Sequence, residues 1–215
     1  MNQFTKTVLP NGIRLITAPL HESQTATIIV MFCAGSRYET PETNGMAHFL
    51  EHMFFQGTDK RPEDVDITKA LDSLGAEFNA FTGKDHTGYY VKVAHQKLPV
   101  AIDVLSDMML HSKFDAAELE KEKGVIVEEI NLYDDNPLMR IHDVFETEMF
   151  KGNSLGWEIA GSRETVRATT RENLVAYQKD HYRGDNCVIV VAGHLPDNIA
   201  TQIQSPVWAI DASSP

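Results

Sequence analysis

Apolar and polar positions alternate with a period of two along several short stretches of this chain, and with a period near 3.6 along longer ones. Phe4 to Leu9 and Ile13 to Ala18 are strand-like runs flanking Pro10-Asn11-Gly12, a turn signal, and together they predict a hairpin. Thr25 to Ala34 is a longer β-rich run ended by Gly35-Ser36. A helix is expected around Met46 to Phe55, with Thr43 or Asn44 as its cap and Gly45 allowing close backbone packing. After Pro62, Glu63 to Leu74 predicts a second helix. Glu77 to Thr82 and His86 to Ala94 then predict two strands around Gly83-Lys84-Asp85. Tyr89 and Tyr90 alternate across the second of these, one toward the core and one toward solvent or a cleft.

Pro99 to Leu110 and Ala116 to Tyr133 are helical, and Pro137 breaks the latter before another helix from Met139 to Met149. Arg171 to His181 is helical, and Asn186 to Ala192 closes the sheet. The mixture predicts an α+β fold, a mainly antiparallel sheet of about six strands packed against helices. No fixed-period repeat is present. Residues 1–204 read as one domain and Ser205 to Pro215 as a frayed tail.

Composition narrows the function. With 215 residues and 42% hydrophobic content, the chain can bury a sizeable core as one domain. A net charge of −12 argues against nucleic acid as a partner, because phosphates reward basic surfaces. Acidity suits a protein that handles basic peptides, although it also simply serves solubility. No apolar run approaches the roughly 20 residues of a membrane span, so no membrane role is expected. Cys33 and Cys187 sit in apolar runs and read as buried free thiols, which favours a reducing compartment.

The candidate chemistry is concentrated in His48-Phe49-Leu50-Glu51-His52. On a helix, His48 and His52 are one turn and about 40° apart, so both imidazoles can reach one ion. Glu51 lies about 60° from His48 and about 100° from His52, a placement better suited to a base acting on water at the metal than to a further ligand. A helix that merely carries two histidines and a carboxylate would satisfy the same five residues. A catalytic zinc takes three protein ligands and leaves one position open, so a third is sought on a second helix. In Asp115 to Ile130, Glu122 and Glu129 lie two turns apart and share a face with Val125 and Ile126 between them, while Glu118, Glu120 and Glu128 read as a solvated face paired with Lys121 and Lys123. His95, His111, His142, His181 and His194 read as isolated surface or capping residues, and His86 beside Asp85 lacks the geometry of the one-turn pair.

These motifs resemble the pitrilysin-type zinc peptidases, in the branch of the mitochondrial processing peptidase β-subunits and their bacterial relatives. The resemblance is carried by His48 to His52, Gln56-Gly57-Thr58, Leu74 to Thr82, Thr87 with Tyr89-Tyr90, Glu122 to Glu129, and the late Tyr182 and Asn186, in the family's order. It implies the N-terminal metallopeptidase domain of a processing-peptidase or LuxS-like metallohydrolase fold. It further implies one Zn²⁺ per chain held by His48, His52 and Glu129, with Glu51 as the general base. A rigid count from His52 would select Glu128; the motif alignment selects Glu129. Glu122 matches a second family glutamate that supports catalysis from beside the site. Phe78, Asn79, Ala80 and Phe81 match an edge strand on which an extended peptide substrate pairs by β-augmentation.

The family usually joins two such domains in one chain, and often adds a partner subunit. This chain is therefore expected to need a second homologous domain or subunit, with a second copy of itself as a further candidate partner. The Arg-Tyr pair of the second half lies outside it. Gly184 and Ser154 stand where many relatives have proline, both in loops. The resemblance implies a zinc endopeptidase, with a non-catalytic, chamber-completing half as the alternative. It implies a cytoplasmic protein of bacterial type, or a mitochondrial matrix protein if a transit peptide has been removed.

Overall fold

Six strands form one sheet: β1 (Thr5–Val8), β2 (Arg14–Pro19), β3 (Thr25–Phe32), β4 (Glu77–Thr82), β5 (Thr87–Ala94) and β6 (Cys187–Gly193). The computed structural model describes residues 4–204, 208 and 210. Its strand order is β1-β2-β6-β3-β5-β4, antiparallel throughout except for the parallel pair β2 and β6. The expected α+β class and mainly antiparallel sheet are therefore what the chain forms. β3 shows why: Ala26, Ile28, Val30 and Phe32 are buried while the residues between them are half-buried, the period of two that a strand imposes. β6 alternates in the same way, burying Cys187, Ile189 and Val191. It does not close the sheet at an edge. A run this apolar loses least by pairing on both sides, and it lies between β2 and β3.

The helices include α1 (Met46–Phe54), α2 (Asp64–Asp72), α3 (Leu98–Leu110), α4 (Ala116–Asp134), α5 (Pro137–Met149), α6 (Arg163–Ala168), α7 (Arg171–His181) and α8 (Ile199–Gln204). α1 and α3 pack on the sheet, and α4 and α7 pack on α1. Phe54 of α1 meets Tyr89 of β5 and Tyr182 after α7, with ring centroids at 5.6 and 5.3 Å. The Tyr89 and Tyr182 hydroxyls share a buried hydrogen bond of 2.8 Å, which satisfies both polar tips inside the core. Tyr90 is half-buried on the opposite face. Among the described residues no helix is long and apolar enough to cross a membrane.

Several expectations are corrected. Neither the Thr43 nor the Asn44 side chain caps α1: the N-cap is Gly45, and the N–H groups of Gly45 and Ala47 are taken by the remote carboxylate of Glu39. Pro137 starts α5 rather than preceding it by two residues, because proline suits the first turn and the Asn136 side chain accepts from Leu138 N. Cys187 is buried but Cys33 is exposed, on the face of β3 opposite Phe32 and just past the strand's end. His95 and His194 are not isolated. β5 and β6 flank β3, so the residues that follow them meet across its start, and the two imidazoles stack at 4.1 Å. Trp208 and Ile210 of the expected tail are buried, 1% and 6% exposed, and Asn11 Nδ2 of the hairpin turn donates to the Trp208 carbonyl. Residues 205–207, 209 and 211–215 lie outside the described residues.

Gly45 has φ +96°, and a Cβ there would stand 2.5 Å from the Ala160 carbonyl oxygen. Gly75 has φ +64° with nothing within 4 Å of such a Cβ. Left-handed backbone alone costs a non-glycine residue about 1–2 kcal/mol, so Gly75→Ala should lose about that much. Gly45→Ala adds a clash with backbone and should lose clearly more. Urea unfolding of both variants checks the order; equal losses would show that the Ala160 contact is slack.

Candidate metal centre

α1 places His48, Glu51 and His52 on the one side of the helix that the core does not cover, with the two imidazole centroids 4.7 Å apart. α4 supplies the facing carboxylates. It begins at a cap, Asp115, whose side chain accepts from Ala117 N at 2.8 Å. It then packs on α1 through its buried positions Leu119, Ile126, Val127 and Ile130, while Val125 is exposed. Glu122 and Glu129 fall on the α1 side. Glu118 and Glu120 pair instead with Lys121 and Lys123 at 2.9 and 2.7 Å in solvent. Glu128 is exposed, with Asn131 as its neighbour.

Glu122, 4% exposed, reaches His52 Nδ1 at 3.0 Å and accepts from Gln56 Nε2 at 3.1 Å. A carboxylate there favours Nδ1–H and turns the Nε2 lone pair outward, the arrangement that carboxylates commonly impose on metal-binding histidines. That Nε2 lies 3.5 Å from Glu129 Oε2, which is also 3.6 Å from His48 Nε2. These distances are long for hydrogen bonds. They are close to the edge of a ligand tetrahedron, about 3.4 Å for bonds of about 2.05 Å to zinc. His48, His52 and Glu129 are the one group of three ligand-type side chains found among the described residues whose donor atoms all lie within 4.8 Å of one another. The donor set, two imidazoles and a carboxylate, fits zinc.

The electrostatics separate the two histidines. Burial, with the neighbouring His52, pushes His48 down to about 4, so it is neutral near pH 7. Burial also disfavours charge on His52, yet Glu122 and Glu129 together outweigh it and push His52 up to about 9. His52 in turn holds Glu129 below the usual carboxylate range. Burial pushes Glu51 up, opposed by a hydrogen bond that Thr82 Oγ1 donates to its Oε2.

A cleft of about 330 Å³ opens beside these groups. His48, Glu51 and Glu129 line one side, Ala80, Phe81 and Thr82 of β4 another, and Tyr133, Arg140, Asp143 and Glu158 the far wall. Ala80 and Phe81 therefore reach the cleft, whereas Phe78 and Asn79 lie further along β4, the unpaired edge of the sheet. Thr82 and Gln56 lie in motifs that carry the resemblance, but the sequence assigns neither of them a role at the site. Gln56 follows His52 by four positions, one helical turn, and that spacing was a usable signal. Nothing local to Thr82 announces that it meets residue 51.

A family model described as Insulinase (Peptidase family M16) matches residues 14–163. The chain is 41% identical over 194 residues to a Bacillus subtilis protein named Uncharacterized zinc protease YmxG, covering 90% of this chain and 47% of that protein. It is 38% identical over 187 residues to the mitochondrial-processing peptidase subunit beta of Dictyostelium discoideum, covering 87% of this chain and 40% of that one. It thus spans less than half the length of these curated relatives. The solved structure of a protease from Helicobacter pylori superposes with a TM-score of 0.91 over 98% of this chain and 51% of that chain; at 21% identity this likeness is one of fold. With the family model spanning most of the chain and relatives of this identity along nine-tenths of it, the chain belongs to the insulinase family of peptidases, family M16.

Proposed function

We propose that this chain is the metal-holding catalytic half of a zinc endopeptidase that cuts extended peptides. The observation that carries the reading is the convergence of His48, His52 and Glu129, whose donor atoms lie within 4.8 Å of one another with Glu129 Oε2 3.6 and 3.5 Å from the two imidazole Nε2 atoms, and with Glu51 beside them. When bound, zinc supplies Lewis acidity, which lowers the pKa of water and polarises a scissile carbonyl. Glu51 takes the proton from the attacking water and returns it to the leaving amine; its raised pKa suits both steps. Thr82 holds the Glu51 carboxylate in place. Glu122 acts through His52 by fixing its ring and tautomer. A peptide pairing with the free edge of β4 would lie past Ala80 and Phe81, with Phe78 and Asn79 further along the same edge. Burial and Glu158 raise Asp143 on the far wall, and a basic substrate side chain would relieve that repulsion.

The reading includes a second homologous domain or subunit. Of the 17 large hydrophobic side chains exposed among the described residues, eight fall between Leu132 and Phe150, including Leu138 at 82%. That stretch, the end of α4 and all of α5, also builds the far wall of the cleft. An apolar face concentrated there and a chain spanning under half of its relatives both support a missing opposite wall.

Four outcomes test this. The purified chain should bind about one zinc, and His52→Ala should lose most of it by metal analysis. Because His52 is protonated near pH 7 without metal, binding should release a proton and tighten about tenfold per pH unit up to its pKa of about 9. Calorimetry in two buffers reads that release, and pH-independent binding would remove His52 from the ligand set. Glu51→Gln should keep zinc and fold but lower peptide cleavage by the assembled enzyme about 10²–10⁴-fold; activity within twofold of the parent excludes Glu51 as the base. The isolated chain should turn over an unfolded basic peptide poorly and gain activity when the complementary half is added. Equal rates with and without that half would show that the chain is complete by itself.

A further inference from the structure

We propose that Glu39 is a positioning residue for the zinc centre, a carboxylate outside α1 that sets the helix's first turn and with it the His48 ring. This rests on reading His48, His52 and Glu129 as the zinc ligands. α1 carries no cap of its own: its N-cap is a glycine, and its first turn holds no acidic residue. α4, α6 and α7 are each capped by the side chain at their own N-cap, Asp115, Ser162 and Thr170. For α1 the acceptor comes from six residues before the cap. Glu39 Oε2 accepts from Gly45 N at 2.8 Å, and its Oε1 accepts from Ala47 N at 2.7 Å. Asn44 Nδ2 donates to the same Oε2 at 3.1 Å and to the Glu158 carbonyl at 3.0 Å, which ties the clamp to the far wall of the cleft.

Ala47 is the residue immediately before His48. Both carboxylate oxygens therefore grip the backbone from which the first ligand projects. Hydrogen bonds to a carboxylate are roughly twice as strong as neutral ones, so this clamp is stiffer than a serine or threonine cap would be. Glu39 is itself held: it is 7% exposed, and its charge adds to the burial that raises the Tyr177 phenol of α7. Burial pushes the Glu39 pKa up and the helix N–H groups pull it back, so the N–H groups are what make a carboxylate tolerable at this depth. His48 most needs such support. Glu122 fixes the His52 ring, whereas His48 Nδ1 is buried with no hydrogen-bond partner among the described residues. His48 is oriented by its backbone and its packing alone.

Removing the groups that orient a metal ligand typically costs 10–100-fold in metal affinity. Zinc affinity of the 215-residue chain is measured by chelator competition for the parent, Glu39→Gln, Asn44→Ala and Thr170→Ala, with circular dichroism and melting on each metal-free protein. Glu39→Gln keeps the shape of the side chain but turns one acceptor into a donor that faces a helix N–H. Thr170→Ala removes a cap from α7, which carries no ligand. The expected result is that Glu39→Gln and Thr170→Ala both melt earlier, while Glu39→Gln alone loses at least about tenfold in zinc affinity and Asn44→Ala loses less. Affinity of folded Glu39→Gln within twofold of the parent, or an equal loss in Thr170→Ala, overturns the proposal. If Glu39→Gln does not fold, Asn44→Ala decides, and unchanged affinity there overturns it. A parent chain that binds no zinc overturns the metal-centre reading itself, an outcome distinct from a parent that binds and a variant that binds equally well.

Discussion

Six of the nine residues of α1 are buried apolar side chains, and the other three are His48, Glu51 and His52. That division governs the rest of the molecule. Phe49, Leu50, Met53 and Phe54 are all at most 1% exposed, wedged between the sheet and the neighbouring helices. Burying each such side chain is worth about 1.5–3 kcal/mol, against about 1 kcal/mol for an ordinary hydrogen bond. Packing therefore fixes where the helix lies, and the polar contacts only decide how its three functional side chains turn. Displacing α1 to suit the site would unpack the core, so α4 and β4 must bring their groups to α1.

The same division creates an electrostatic demand. Two imidazoles and several carboxylates share a partly buried space, and an unpaired charge there is costly. The chain meets this by pairing: Glu122 with His52 and Gln56, Glu51 with Thr82, and Glu129 between the two histidines. Glu122 and Glu51 are each held by close hydrogen bonds, whereas the Glu129 oxygen stands slightly too far from both rings to bond either well. On the proposed reading that spacing is the useful feature. A fully satisfied Glu129 would have to break a good hydrogen bond to take up a metal, whereas this one exchanges a long contact and the His52 proton for the ion.

Much of this was legible in the sequence, for reasons that are local. All six strands were located: β1 and β2 by the turn between them, β6 by its apolar run, and β3 by β-rich composition whose burial then alternates as a half-buried strand requires. The one-turn spacing of His48 and His52 and the two-turn spacing of Glu122 and Glu129 are helix geometry, and they read the same on paper as in space. The choice between Glu128 and Glu129 needed the motif; the structure supplies a physical counterpart, since Glu128 is exposed beside Asn131 while Glu129 lies against both histidines. What stayed hidden depends on distant contacts. Thr43 and Asn44 have good capping chemistry, but the sequence does not reveal that Glu39 already occupies the position they would fill. Likewise, the central place of β6 and the stacking of His95 on His194 follow from strand order, which no local pattern encodes.

The edge strand β4 joins these themes. An unpaired strand beside a cleft is a liability, because its free N–H and C=O groups can recruit any extended chain. β4 is short, six residues, with the charged Glu77 at its start, and its half-buried positions Phe78, Ala80 and Thr82 all point to one face. Thr82 spends its hydroxyl on Glu51, so the end of the strand is tied to the proposed general base. On the proposed reading, an extended peptide that adds to β4 would run past the residue that acts on it. Orientation of this kind can contribute about 7–11 kcal/mol to a reaction, provided the bound geometry is held from more than one side. Here one side is a rigid strand. The other is the α5 wall, which bears five of the 17 exposed large hydrophobic side chains among the described residues. A wall left uncovered on its outer side excludes water less well than a closed one. On the proposed reading, then, the metal centre is complete within this chain while the confinement of its substrate is not, and a partner would act by covering α5 without contributing a ligand.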